Sequence, residues 1–154
     1  MWILIISVII DQFSKYLVCG LNESISIIPG LLSIEYTKNY GAVFGIMQGS
    51  NNILAIISLV LCVMIIAYIF TLKKKGEKIH QAWYMILAGG FGNLIDRIIR
   101  GYVVDFIATP FIATFNIADS LVVIGVGLLI LNEIKDIVKN KKIDSKEENV
   151  WVLN

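Results

Sequence analysis

Charge is scarce in this chain. Only 16% of its 154 residues are Asp, Glu, Lys or Arg, while 57% are hydrophobic and the mean hydropathy is +0.79. A soluble domain carries about 25% charge, so the composition argues against a water-soluble core. The net charge of +1 is too small to suggest a nucleic-acid partner. Histidine occurs once, at His80, and no H-E-x-x-H zinc block or Ser/His catalytic pair is present. The two cysteines, Cys19 and Cys62, lie inside apolar runs without metal-ligand spacing, so neither a zinc site nor a disulfide framework is indicated. No G-x-G-D block sits in an apolar run, and no internal repeat of the transporter kind is evident.

What the chain does have is four long apolar runs. A hydrocarbon layer about 30 Å thick needs roughly 20 helical residues to cross it, because lipid leaves unpaired backbone groups unsatisfied. Runs 2–21, 53–72, 82–99 and 117–134 meet that need, and the fold expected is an all-α membrane protein with four transmembrane helices. The first run lacks the basic flank and A-x-A-like cleavage site of a signal peptide, and reads as a retained helix. Between the first two runs, Pro29-Gly30 marks a turn, and Leu32-Ser33-Ile34-Glu35-Tyr36-Thr37 alternates as a strand does. A small β-rich extramembrane segment is expected there. Residues 1–142 read as one membrane-embedded domain and 143–154 as a polar, disordered tail, in which Trp151 has no evident role.

Basic residues are few but lopsided. Lys73, Lys74, Lys75 and Lys78 cluster between the second and third runs, and Lys135, Lys139, Lys141, Lys142 and Lys146 follow the fourth. The positive-inside rule places both clusters, and with four spans both termini, in the cytoplasm. Segments 22–52 and 100–116 then face outward, and His80 lies in an inner loop.

Ionisable groups inside a span cost about 2.5 to 3.5 kcal/mol each, so those retained have partners or work. Asn93, Asp96 and Arg97 fall at the outer end of the third span, Asp119 at the outer start of the fourth, and Asp105 in the loop between them. That loop can fold back and bring Asp105 and Asp119 together. Two carboxyls in a partly desolvated site resist double ionisation and share one proton, the state needed to activate water and polarise a peptide carbonyl. The plainer alternative is that Asn116 and Asp119 merely start a helix, as N-cap and first-turn acid. Asp11 and Lys15 stand four apart, in the order that neutralises two charges in lipid, as do Asp96 and Arg100. Arg97 and Asn93 share a helical face suited either to a substrate backbone or to a structural pairing. Gly89, Gly90 and Gly92 permit close helix packing.

Four blocks, taken in order, carry a resemblance. They are Asp11-Gln12-Phe13-Ser14-Lys15, Asn39-Tyr40-Gly41-Ala42-Val43-Phe44-Gly45, Gly89 to Arg97 with Gly101 to Phe106, and Phe115-Asn116-Ile117-Ala118-Asp119-Ser120. Spread over residues 11 to 120, this set resembles the lipoprotein signal peptidases, or signal peptidase II, aspartyl proteases of bacterial membranes. The resemblance implies a catalytic pair Asp105 and Asp119, with Asn116 steadying it. It implies substrate contacts from Asn39, Gly41, Asn93 and Arg97, and a stabilising or pocket-shaping role for Asp11 and Lys15. The implied substrate is a diacylglyceryl-modified prolipoprotein in membrane lipid, cut before its lipidated cysteine at the outer face of the bacterial plasma membrane. No metal or other cofactor is implied, and a monomer is expected because one chain supplies both acids. Tyr40 departs from the small residue common at its position, and the stretch before Trp2 is shorter than usual; the first bears on substrate fit, the second weakens the inside signal for the first helix.

Overall fold

The computed structural model describes residues 2–41 and 51–152, with side chains described up to residue 141. The chain forms helix α1 (Trp2–Val18), strands β1 (Ile25–Ile28) and β2 (Leu32–Asn39), helices α2 (Asn51–Lys74) and α3 (Gln81–Ile99), strand β3 (Val103–Ala108) and helix α4 (Ile117–Val152). By length and composition, two helices are apolar enough to cross a membrane, α2 throughout and α4 over Ile117–Lys141. Helices α1 and α3, at 17 and 19 residues, are shorter and carry buried ionisable groups, Asp11 and Lys15 on α1 and Asp96 on α3.

The bundle is inverted relative to a soluble protein. On α1 the buried residues are Asp11, Lys15 and Val18, while Ile9, Phe13 and Tyr16 point outward. Asp11, Lys15, Asp96 and Asn116 are each 0% exposed. Isoleucine outside and ion pairs inside is the pattern that apolar solvent selects, since burying polar groups together costs less there than facing them to lipid. Helix α2 buries only Cys62 and Leu72 and is otherwise apolar all round.

Helix α3 lies at the centre, packed against α1, α2 and α4. Its small residues make this possible: a Cβ added to Gly89 would lie 2.3 Å from the Ala118 carbonyl oxygen on α4, and one on Gly92 would lie 2.6 Å from Asp11 Oδ2 on α1. Gly125 on α4 receives α3 in the same way, next to Ile86 and the Ala82 carbonyl. Helix α2 ends in a Schellman motif, with Gly76 at φ 73° and its N–H bonded to Lys73 O (3.1 Å), and Glu77 N–H bonded to Leu72 O (3.0 Å).

The strands form one antiparallel sheet in the order β1-β2-β3. Ile28 to Leu31 is a tight turn closed by a 3.0 Å bond, with Pro29 and then Gly30 at φ 71°, the residue types such a turn requires. The sequence places β structure between the first two helices only; β3 comes from the segment between α3 and α4. Its residues form a continuous apolar run around Asp105 because four of them, Val103 to Phe106, are buried, so the alternation that betrays a half-exposed strand is lacking. The pairing slips between Ile34 and Thr37, where two residues of β2 face one of β3, and this bulge sets Thr37 opposite Asp105 and Asn39 opposite Val103. At the other end, the α4 backbone is helical through Val152, where the polar composition of 143–154 suggests disorder. Lysine and glutamate are strong helix formers, which lets the helix continue past its apolar part.

The close approach at Gly89 is testable. Replacing it with alanine forces backbone apart and is expected to cost about 1 to 3 kcal/mol, whereas Gly127→Ala, which meets nothing within 4 Å, should be neutral or stabilising. Thermal unfolding in detergent checks this; equal midpoints for the two variants would rule out the packing role of Gly89.

Candidate active site

Helix α4 begins with a reciprocal cap. Asn116 Oδ1 accepts the Asp119 N–H at 2.9 Å, and Asp119 Oδ2 accepts the Asn116 N–H at 3.2 Å. This is the geometry of a capping box with aspartate in the third helical position. The Asn116 amide then reaches away from its own helix, where Nδ2 donates to Asp105 Oδ1 at 2.7 Å and to Asn93 Oδ1 at 3.1 Å. Helix start and acid pair are therefore one arrangement, with Asn116 joining the two aspartates.

Asp105 enters from β3. Its side chain is 2% exposed, and its second oxygen accepts from Asn39 Nδ2 at 2.8 Å. Asn39 is itself fixed, since Oδ1 accepts the Gly41 N–H at 3.0 Å. Burial pushes the Asp105 carboxyl up to about 6, reinforced by the charge of Asp119 and opposed by the amides of Asn39 and Asn116. Asp119, half-buried, offers its other oxygen to Asn93 Nδ2 at 2.7 Å. Each carboxylate oxygen of the pair thus holds one N–H donor, and a second lone pair on each is left for other chemistry.

Beneath the pair runs a buried ionic layer. The Lys15 ammonium lies 2.9 Å from Asp11 Oδ2, 2.9 Å from Asp96 Oδ2 and 3.0 Å from Asn93 Oδ1. Arg100 pairs with Asp96 and also donates to Gln12 Oε1 at 3.2 Å. Both acids also grip the segments above them: Asp11 Oδ1 accepts the Ala118 N–H at 2.9 Å, and Asp96 Oδ2, the oxygen that also faces Lys15, accepts the Val104 N–H at 3.0 Å. Val104 precedes Asp105 and Ala118 precedes Asp119. One lysine therefore ties together the anchors of both.

Of the residues singled out in the sequence, Asp105, Asp119, Asn39, Gly41, Asn93, Asn116, Asp11 and Lys15 form a single hydrogen-bonded set. Arg97 is half-buried and feels the charges of Asp119, Asp105 and Asp96, but makes no ion pair with them among the described residues. Its carbonyl accepts from Asn51 Nδ2 at 3.1 Å. Ala42, Val43, Phe44 and Gly45 of the second block lie outside the described residues. Two contributors were not legible. Asp96 reads as a helical partner of Arg100, and its grip on Val104 is invisible in spacing; Gln12 bridges Asp11, Asp96 and the Gly92 carbonyl, a role that depends on the α1–α3 contact.

Fold and site together define a membrane protein that keeps its polar chemistry inside a helical bundle. The profile of the signal peptidase (SPase) II family matches residues 3–135, and the chain belongs to that family of peptidases. A lipoprotein signal peptidase from Halalkalibacterium halodurans is 38% identical over 90% of this chain and 93% of its own length. One from Haemophilus ducreyi is 38% identical over 94% of each chain. A solved bacterial membrane enzyme superposes with a TM-score of 0.76 at 32% identity, covering 88% of this chain and 87% of the other.

The ionic layer makes a prediction. Lys15→Met leaves Asp11 and Asp96 buried without their shared cation, a loss of about 3 to 5 kcal/mol. Adding Asp11→Asn to that variant should recover part of the thermal midpoint, because one uncompensated charge goes. A Lys15→Met protein as stable as the wild type would show that the ammonium carries none of the assembly.

Proposed function

We propose that the chain removes signal peptides from diacylglyceryl-modified prolipoproteins, with Asp105 and Asp119 as the acid and base that activate water. The observation that carries this reading is the Asn116 bridge: its side-chain amide donates to the Asp105 carboxyl on a strand, and its main-chain N–H donates to the Asp119 carboxyl at a helix start. The two carboxyls meet around a single asparagine, and both acids keep accepting capacity.

In the reaction, the ionised member takes a proton from water as its oxygen adds to the scissile carbonyl. The protonated member donates to the carbonyl oxygen as charge develops there, then the proton passes to the leaving amine. The pair titrates as a unit, and no cofactor enters any of these steps. Asn39 and Asn93 hold the carboxyls in place, and Arg97 and Gly41 lie where the peptide backbone would pass.

The same reading covers the membrane. All four helices cross the bacterial plasma membrane, the lysine clusters face the cytoplasm with both termini, and sheet and acid pair stand at the outer face. The α1 and α3 helices, about 26 and 29 Å long at 1.5 Å per residue, suit a layer about 30 Å thick. A substrate anchored by its lipid presents the bond before the modified cysteine at that interface, which removes much of the entropic barrier to attack. The chain acts as a monomer, since it supplies both acids.

Purified enzyme in detergent, given a lipidated prolipoprotein, should cleave it before the lipidated cysteine, and addition of a chelator should leave the rate unchanged. Asp105→Asn and Asp119→Asn should each lose activity by at least about a thousandfold while unfolding near the wild-type temperature. Cleavage by either folded variant at the wild-type rate would remove that residue from the pair.

The pH profile follows from Asp105. Its carboxyl is raised above the ordinary value near 4, so the shared proton is present below about 6 and is lost as pH rises through that value. The profile of kcat/KM, which reports the free enzyme, should therefore fall on its alkaline side with an apparent pKa of about 6. A rate that stays level from pH 5 to 8 would mean that no such proton is needed.

A further inference from the structure

At the end of the bundle away from the acid pair, a cavity of about 470 Å³ opens between the start of α3 and the middle of α4. Asn132 on its wall lies about 20 Å along α4 from Asp119, at 1.5 Å per residue, so this space is separate from the site described above. Its lining is layered. Lys78, His80, Gln81 and Asn132 stand at the lysine-rich end together with one apolar residue, Ile79, and Met85 and Leu128 line the part towards the middle of the bundle. Met85 is one helical turn past Gln81 on α3, and Leu128 one turn before Asn132 on α4. On these antiparallel helices both steps lead from the lysine-rich end towards the middle of the bundle.

Polar donors at the rim with an apolar wall one turn deeper match a molecule with a charged head and a hydrocarbon body. The rim is also rich in groups that donate. Lys78 brings an ammonium and Gln81 an amide. His80 uses Nδ1 to accept the Ala82 N–H at 3.2 Å, so the ring can offer a ligand only its Nε2–H. Asn132 donates to Asp136 at 3.4 Å, a long bond on an exposed face. Lys73, Lys74 and Lys75 stand beside this rim, and the one acid in that loop, Glu77, lies 4.0 Å from Lys75. On α4 the acids Glu133 and Asp136 stand beside Lys135 and Lys139, so Lys73, Lys74, Lys75 and Lys78 against Glu77 leave this end with a net positive charge, and the N-terminal dipole of the 19-residue α3 adds to it.

We propose that this cavity binds one anionic phospholipid, its phosphate held by Lys78, His80 and Gln81 and its acyl chain laid along Met85 and Leu128. A zwitterionic lipid of the same chain length fits the wall but brings a cation to a rim that is already basic. A free phosphate fits the rim but leaves the wall uncovered. Charge complementarity and the layering together select the anionic lipid. The assignment rests on the membrane reading given under Proposed function, with the lysine-rich end at one leaflet boundary.

The test uses the full-length enzyme in detergent, titrated with short-chain phosphatidylglycerol, phosphatidylcholine of equal chain length, or inorganic phosphate. Bound lipid is counted by native mass spectrometry and stability is followed by thermal unfolding. Phosphatidylglycerol should bind saturably at one site and raise the thermal midpoint, and the other two should do neither. Lys78→Glu should weaken that binding about tenfold, against less than about threefold for Lys74→Glu, which makes the same charge change beside the cavity. Met85→Trp fills the wall and should abolish binding without altering rim charge.

Equal weakening by Lys74→Glu and Lys78→Glu would mean diffuse attraction and overturn the site. Inorganic phosphate or phosphatidylcholine binding as well as phosphatidylglycerol, or full binding by Met85→Trp, would overturn it as well. Cleavage of a lipidated substrate is assayed in the same samples. Retained cleavage with no lipid effect counts against the cavity alone, and lost cleavage in the wild type counts against the proposed function.

Discussion

The Lys15 ammonium, held between Asp11 and Asp96, is the contact on which the rest of the molecule depends. It is 0% exposed, as are both of its acidic partners, and a lone charge so placed would not be tolerated. Shared between two carboxylates and the Asn93 amide, it is satisfied on three sides. Each carboxylate also accepts a backbone N–H, Asp11 through its other oxygen and Asp96 through the oxygen it shares with Lys15, and those N–H groups belong to the residues just before Asp105 and Asp119. Charge neutralisation in the bundle interior and placement of the acid pair are thus the same set of bonds. Arg100, partly exposed at the edge of the layer, brings it to two positive and two negative groups, which lowers the cost of keeping those charges inside a bundle.

Above that layer, Asn116 reconciles two demands that compete in the sequence. A helix start needs its first N–H groups capped, and a reacting pair needs its carboxyls held close without being sealed. The amide oxygen and main-chain N–H of Asn116 serve the helix, and its amide nitrogen serves Asp105 and Asn93. An aspartate at 116 would keep the cap but replace an amide donor with a further carboxyl beside the pair. A serine would keep the cap but could not span to β3.

Much of this was legible in the residues themselves. The apolar runs gave the helices, although α1 stops at Val18 rather than Leu21 and α2 starts two residues early, at Asn51. The i,i+4 pairs Asp11–Lys15 and Asp96–Arg100 form as spacing implies. What spacing could not reveal is the third partner in each case, because the Ala118 and Val104 N–H groups arrive through tertiary packing at Gly92 and through the chain reversal at Gly101, whose φ is 79°. Strand β3 was hidden for a related reason: a strand buried on both faces loses its period of two and looks like any short apolar run. The resemblance supplied the pairing of Asp105 with Asp119, which loop length alone allowed but did not compel.

The dependence of α4 on Asp11 has a consequence for how the chain is made. Helix α1 leaves the ribosome before α3 and α4, and it carries an acid and a lysine whose partners on those helices lie 78 to 107 residues further on, at Asn93, Asp96 and Ala118. Until α3 and α4 arrive, Asp11 and Lys15 have only each other and the Gln12 amide. Assembly of the ionic layer therefore waits for α4: a chain truncated before residue 118 lacks the last strut, and the layer is complete only when α4 docks against α1.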